Sequence, residues 1–178
     1  MSEISFQLAG LLLDTKPTLK LTPRSLDDIL RCTSEDFKLQ VDQTAKEVLE
    51  GLVNEMPGDY QVPVSLLHRF PRTLQRKQTD KLKKVDIDDY PLIRYLMSRY
   101  VFLAQGTTTA VFDLGDYVAK ITFGGRGNQE RKRDVEMFAA YPSTFAESKG
   151  ISVVYLEDGE FVWDYAYIQQ KLEGSKGS

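Results

Sequence analysis

The sequence predicts an α+β protein, a helical N-terminal half followed by a five-stranded antiparallel sheet with one inserted helix. Three observations carry that expectation. Apolar residues recur at three- and four-residue spacing through much of the first half. After Tyr100 the pattern changes to alternation in two β-rich pairs, each centred on a glycine-containing turn. Between the pairs, "GNQERKRDVEMFAAYPSTF" returns to helical spacing.

Each element has a local cause. In "TPRSLDDIL", Ser25 precedes Asp28 by three residues, a capping-box arrangement that starts a short helix ending near Arg31–Thr33. Val41, Ala45, Val48, Leu49, Leu52 and Val53 then line one face of a longer helix, which Pro57-Gly58 stops. The segment "QVPVSLLHRFPRTL" carries two prolines and reads as a short helix or an extended turn. In "DIDDYPLIRYLMSRY", Asp88 or Asp89 is a candidate cap, Pro91 suits the first turn, and Leu92, Ile93 and Leu96 form the buried face. "AVFDLGDYVAKITF" turns at Gly115-Asp116, and "ISVVYLEDGEFVWDYAYIQQKL" turns at Asp158-Gly159, a type I′ candidate. Val135, Phe138 and Ala139 set the apolar stripe of the intervening helix, expected near residues 128–141, and Pro142 marks its end. The expected organisation is a helical module over 1–98, a sheet domain over 99–175 and a flexible tail over 176–178.

Composition narrows the function classes. Of 178 residues, 42% are apolar and 28% charged, which is enough for a packed core. A net charge of −3 does not indicate a general nucleic-acid binder. The apolar runs are too short for a membrane span, and the acidic start "MSEISF" makes a poor signal peptide, so a cytoplasmic protein is expected. Cys32 and His68 are the single cysteine and the single histidine. Neither a disulfide framework, a Cys/His zinc site nor a Ser-His-Asp hydrolase is expected from one of each.

Two features invite a functional reading beside a structural one. Residues 72–84 hold six basic side chains (Arg72, Arg76, Lys77, Lys81, Lys83, Lys84) against the single Asp80. Such a run is either a solvated face or a docking patch for an acidic partner. Lys120 interrupts the apolar run "YVAKITF". It reads either as an edge-strand lysine that discourages pairing or as a phosphate-binding lysine. The aromatic residues Tyr155, Phe161, Trp163, Tyr165 and Tyr167 read as cross-strand packing or as a binding face.

The order strand, strand, strand, helix, strand, strand resembles the small lobe of a protein kinase. "LAQGTTTAVF" is similar to the glycine-rich loop L-G-x-G-x-x-G-x-V-[YF], with Leu103, Gly106, Val111 and Phe112 in place. Ala104 and Thr109 stand where that family has its first and third glycines. "VAK" at 118–120 resembles the third-strand motif whose lysine reaches the α- and β-phosphates. "FVWDYAYIQQKLEGS" looks like the fifth strand running into the hinge. The resemblance covers residues 99 to 175 and implies nucleotide-binding positions at Gly106, Thr107, Thr108, Thr109, Val111 and Lys120. It implies a carboxylate partner for Lys120 among Glu130, Asp134 and Glu136. ATP is the one cofactor implied, and weak binding is expected, because a Cβ restricts the backbone where glycine is missing.

The departures matter more. The family's catalytic loop H-R-D-x-x-x-x-N and its metal-binding D-F-G have no counterpart after Lys120 in a sequence that stops at Ser178. His68-Arg69-Phe70 and Asp36-Phe37-Lys38 lie upstream and read as structural. No catalytic or metal residue is assigned, and whether the chain is an enzyme is left open, with a non-enzyme expected. The expected function is a non-catalytic, kinase-like protein-binding module that regulates or inhibits a partner with an acidic surface. Its contacts are expected at the basic stretch and at Arg131 and Arg133. Likeness to compact phage-encoded kinases implies a phage protein acting on a bacterial host factor. Two alternatives stay open: the small-lobe part of a split or truncated kinase, and an unrelated α+β adaptor.

Overall fold

The computed structural model describes residues 26–33, 35–36, 43–57, 60–74 and 82–171. Among them, helices α1 (Leu26–Leu30) and α2 (Gln43–Glu55) precede strand β1 (Tyr60–Pro63) and a 3-10 turn over Val64–Arg69. A second 3-10 turn (Ile87–Asp89) leads into α3 (Pro91–Met97). Strands β2 (Phe102–Gln105), β3 (Thr109–Asp113) and β4 (Tyr117–Thr122) follow, then α4 (Gly125–Ala140), β5 (Ser148–Glu157) and β6 (Glu160–Gln170). The strand order is β1-β5-β6-β4-β3-β2.

The α+β class is as expected, and the sheet differs from expectation in one respect. It has six strands and is mixed, because β1 runs parallel to β5 with Tyr60 opposite Ile151 and Val62 opposite Val153. The strand comes from the two-proline segment. Val62 is buried, and Pro63 is accommodated because β1 is an edge strand that it terminates. The pairs β2–β3, β3–β4 and β4–β6 are antiparallel.

The chain divides into two compact units, one made of Met1–Pro71 and Ile151–Tyr165, the other of Arg72–Gly150 and Ala166–Ser178. In the first, Leu49 of α2 packs with Met56 and Val154, and Leu52, Val53 and Phe161 close round them. Val48, counted on the apolar face from sequence, is 60% exposed instead. Arg69 closes the end of α1: its Nη1 donates to the carbonyls of Ile29 at 3.2 Å and Arg31 at 3.0 Å, and Nη2 lies 3.5 Å from Asp36. Those last carbonyls have no partner within the helix, so a guanidinium serves both their lone pairs and the helix dipole. Asp36 also accepts from the backbone N–H and hydroxyl of Thr33, whose hydroxyl accepts from the Asp36 N–H in return. His68 Nδ1 is bonded to the Ser65 carbonyl. His68 and Arg69 lie in the 3-10 turn and Asp36 in a helical pair. Ser25, the expected cap of α1, lies outside the described residues.

In the second unit, Leu92, Ile93, Leu96 and Met97 of α3 are buried, as are Tyr100, Phe112, Leu114, Ile121 and Ile168. Pro91 opens α3 as expected, but neither Asp88 nor Asp89 caps it. Its N-cap is Tyr90, and the side chain that caps is Asp86, which accepts from the Asp88 N–H at 2.9 Å one turn earlier. The hairpin between β3 and β4 turns at Gly115, whose φ is 88°. Asp113 Oδ1 accepts from the Gly115 N–H at 2.9 Å and is also bonded to the ammonium of Lys171. Asp158 and Gly159 both take positive φ, 50° and 80°, as a two-residue type I′ turn between β5 and β6 requires.

Candidate functional site

The site is built on β4, whose residues alternate buried and half-buried. Tyr117, Ala119 and Ile121 face the core, which leaves Val118, Lys120 and Thr122 on the other face. Register carries that face across three strands. Val111 of β3 and Tyr167 of β6 sit opposite Lys120, Thr109 sits opposite Thr122, and Gln169 sits opposite Val118. Lys120 is therefore on an interior strand, flanked by β3 and β6, and the edge-strand explanation does not apply.

Its ammonium is committed to an amide. Lys120 Nζ donates to Gln169 Oε1 at 2.6 Å. Because an ammonium can only donate, the amide must turn its oxygen to Lys120 and its NH2 elsewhere. Gln169 Nε2 accordingly donates to Ser148 Oγ at 3.0 Å, and Ser148 donates to the Ala146 carbonyl at 3.1 Å. A chain of hydrogen bonds thus crosses from β4 over β6 to β5. Burial pulls the Lys120 amine below the ordinary lysine value, and the positive charge of Arg131 adds to this, while Asp134 opposes it.

The loop before β3 closes on itself. The Gly106 N–H donates to the Thr109 carbonyl at 2.9 Å, which leaves Thr107 and Thr108 at the tip. The Phe123 N–H donates to the Thr108 carbonyl at 2.7 Å, and the two hydroxyls of Thr108 and Thr109 lie 3.3 Å apart. Thr109 is buried at 7% exposure, so one of the three threonines is packed rather than offered.

Helix α4 lies beside β4 and is held at its first turn. Gly127, its one buried residue, packs against the backbone and Cβ of Thr108. The Tyr167 hydroxyl reaches Asn128 through both its backbone carbonyl, at 3.2 Å, and its side-chain oxygen. The helix starts at Gly125, three residues before its expected beginning, because glycines that read as loop supply this close approach.

The expected ion pair between Lys120 and a helix carboxylate is not formed. Asp134 Oδ2 lies 3.0 Å from Arg131 Nε. Glu130, nearly half exposed, lies 3.6 Å from Arg126 and 3.9 Å from Arg131. Glu136 is exposed. Arg131, assigned to an outward partner surface from sequence, points inward: its side chain is 21% exposed and its Nε is out of contact with solvent. Arg133 is exposed as expected, with Lys132 beside it. Of the basic stretch, Arg72, Lys83 and Lys84 are exposed, and the main chain of Lys83 exchanges two bonds with the Gln105 side chain, at 2.8 and 2.7 Å. Arg76, Lys77 and Lys81 lie outside the described residues. Sequence reasoning missed Gly127, Asn128 and Gln169, and named Tyr167 only among the aromatic residues of the sheet. The signal available was spacing, since 127, 128, 131 and 134 fall on one helix face.

Among the described residues no helix is long and apolar enough to cross a membrane. No protein-family model, curated protein or solved structure matches the chain.

Proposed function

We propose that this chain is a non-catalytic, kinase-like protein-binding module that regulates or inhibits its partner through the outward face of α4. The observation that carries the reading is where Lys120 and Asp134 spend their charges. Lys120 is bonded to Gln169 and Asp134 lies against Arg131, so the pair that would orient a nucleotide for transfer is not assembled. The chain order of β2, β3, β4, α4, β5 and β6 supports the likeness in arrangement. The chemistry is then separate from the scaffold, as fold and function generally are.

The outward face of α4 supports a binding role. A 16-residue helix whose one buried residue is a glycine is held by its first turn and gives most of its surface to solvent. Lys132 and Arg133 are exposed there and lie against no carboxylate among the described residues. An acidic partner surface complements them, and Tyr141 and Phe145, 56% and 40% exposed just past the helix, add apolar area.

Two measurements test the reading. Purified chain incubated with radiolabelled ATP should transfer no phosphate to itself or to a generic substrate. Transfer that survives purification and disappears in Lys120→Ala would make it an enzyme. Affinity capture should recover a partner that is lost in the double variant Lys132→Glu, Arg133→Glu and weakened by moderate salt. Exposed charges are screened beyond about 10 Å at 0.1 M ionic strength. Capture indifferent to both changes argues against this surface.

A further inference from the structure

The charges of this chain are divided unevenly between its two compact units. The unit of Met1–Pro71 and Ile151–Tyr165 carries 15 acidic against 7 basic side chains, a net −8. The unit of Arg72–Gly150 and Ala166–Ser178 carries 11 acidic against 16 basic, a net +5. The overall −3 is therefore the difference between two bodies of opposite sign. Each unit also exposes large apolar side chains of its own, and apolar area rimmed by charge marks an interaction surface.

On the acidic unit that surface is the β5–β6 hairpin with the helix on it. A two-residue turn at Asp158-Gly159 sets Leu156 opposite Phe161 and Val154 opposite Trp163, and strand alternation puts all four on one face. The bond from Gln169 to Ser148 further along agrees with that register. Leu49 of α2 packs with Val154 and Phe161, whereas Leu156 stays 60% exposed and Trp163 38%. Val48 of α2 is exposed as well, between Glu47 and a buried Leu49 that Glu50 follows. Glu47, Glu50, Asp158 and Glu160 are all exposed, and none forms an ion pair among the described residues.

On the basic unit the surface is the far end of α4. Lys132 and Arg133 are exposed on the helix, and Tyr141 and Phe145 are exposed just past it. Their two rings lie 6.2 Å apart, and the Phe145 N–H donates to the Tyr141 carbonyl at 3.1 Å. A preformed aromatic pair beside two cations loses little conformational freedom on docking. It matches in kind what the other unit offers, an aliphatic and indole surface beside carboxylates.

We propose that the chain associates with itself, the hairpin and α2 of one copy receiving the α4 end of a second copy. Both surfaces are exposed in a single chain, so each is open to another molecule. Opposite charge steers the encounter, and it disfavours hairpin against hairpin, where carboxylates would meet. Because the two surfaces differ, one copy can use both, in a ring, a filament or a reciprocal pair. The inference rests on the protein-binding reading of α4 and gives that face a definite occupant.

The test is sedimentation equilibrium of the purified full chain over a range of concentrations. The average mass should rise with concentration. Trp163 is the single tryptophan, so its emission reports this surface and should move to the blue as the mass rises. Raising ionic strength from about 0.1 M to about 1 M shortens screening from about 10 Å to about 3 Å and should weaken association at least about fivefold. The double variants Glu47→Lys, Glu160→Lys and Lys132→Glu, Arg133→Glu should each associate at least about tenfold more weakly. In an equal mixture of the two, every contact between unlike copies again joins opposite charges, so association should return. Thermal unfolding checks that both variants are folded. A wild-type chain that stays monomeric, association without a change in Trp163 emission, folded variants that associate as wild type, or a mixture no stronger than its components would each overturn the proposal. The protein-binding reading fails separately. A monomeric chain that still captures a partner through Lys132 and Arg133 sinks the self-association and leaves that reading standing, and self-association with no captured partner does the reverse.

Discussion

A Cβ built on Gly127 would stand 2.6 Å from the carbonyl oxygen of Thr108 and 2.9 Å from its Cβ. The first turn of α4 and the tip of the threonine loop are therefore in direct backbone contact. That carbonyl is also the acceptor for the Phe123 N–H, so it cannot swing aside without losing a bond.

Gly127→Ala should consequently destabilise the protein. In an unobstructed helix the same change stabilises by about 1 kcal/mol through propensity. Overpacking against backbone costs about 1–3 kcal/mol and has the opposite sign. Gly51 of α2 is the control, because nothing lies within 4 Å of its added Cβ. Chemical denaturation should show Gly51→Ala raising stability and Gly127→Ala lowering it. Two changes of the same sign would mean that α4 is not seated on the loop.

Tyr167 makes the second anchor of that turn. Tyr167→Phe removes the donor that reaches Asn128 while leaving the ring in place. A neutral hydrogen bond of this kind contributes about 1 kcal/mol. Amide exchange should quicken through the first turns of α4 and remain unchanged in α3. Uniform quickening across both helices would mean a global loss of stability rather than release of one helix.

How much of this was legible in sequence follows from the range of each signal. The turns at Gly115-Asp116 and Asp158-Gly159 were readable because one dipeptide determines the backbone there. β1 was not, since its partner is β5, far along the chain, and nothing local in "YQVP" announces a parallel neighbour. The start of α4 was missed for a related reason: propensity scores Gly124, Gly125 and Gly127 as loop, whereas contact with Thr108 requires a glycine inside the helix. At the candidate site, Lys120 was found from its incongruity in an apolar strand. Its partner Gln169 was not, because a cross-strand diagonal depends on register. Arg131 was read with the solvated charges, although it stands four residues before Val135 and seven before Phe138 and so shares their half-buried face.

Lys120 should titrate below the ordinary lysine value, and the neighbours that hold it there can be separated by sign. Burial is the main cause, Arg131 adds repulsion and Asp134 opposes both. Arg131→Gln should raise the Lys120 pKa, and Asp134→Asn should lower it further. The side-chain carbon resonance next to the amine, followed against pH, reads both. The consequence for stability has a definite direction. A lysine whose folded pKa lies below its unfolded value of 10.5 costs stability while both states are charged, and the cost is relieved as pH rises through the folded pKa toward 10.5. Shifts in the reverse order would show that Arg131 and Asp134 do not face Lys120.

Tyr117 gives the opposite pH dependence. Its phenol is pushed up from 10.0 to about 12, first by burial and then by the charge of Glu147, whose carboxylate also accepts its hydrogen bond at 3.4 Å. Each of these favours the neutral phenol in the folded state. Below pH 10 both states keep the proton and the stabilisation is complete. Above it the unfolded chain releases the proton while the folded chain retains it, so the unfolded state binds fewer protons and stability falls as pH rises toward about 12. The Cys32 thiol, raised from 9.0 to about 12 by burial and then by Asp36, contributes in the same direction from a lower starting pH. Melting temperature should therefore decline steadily across this alkaline range. Tyr117→Phe has no phenol to ionise, and its decline should begin from the same neutral-pH reference but run less steeply. An equal slope in the two proteins would place Tyr117 in water rather than against Glu147.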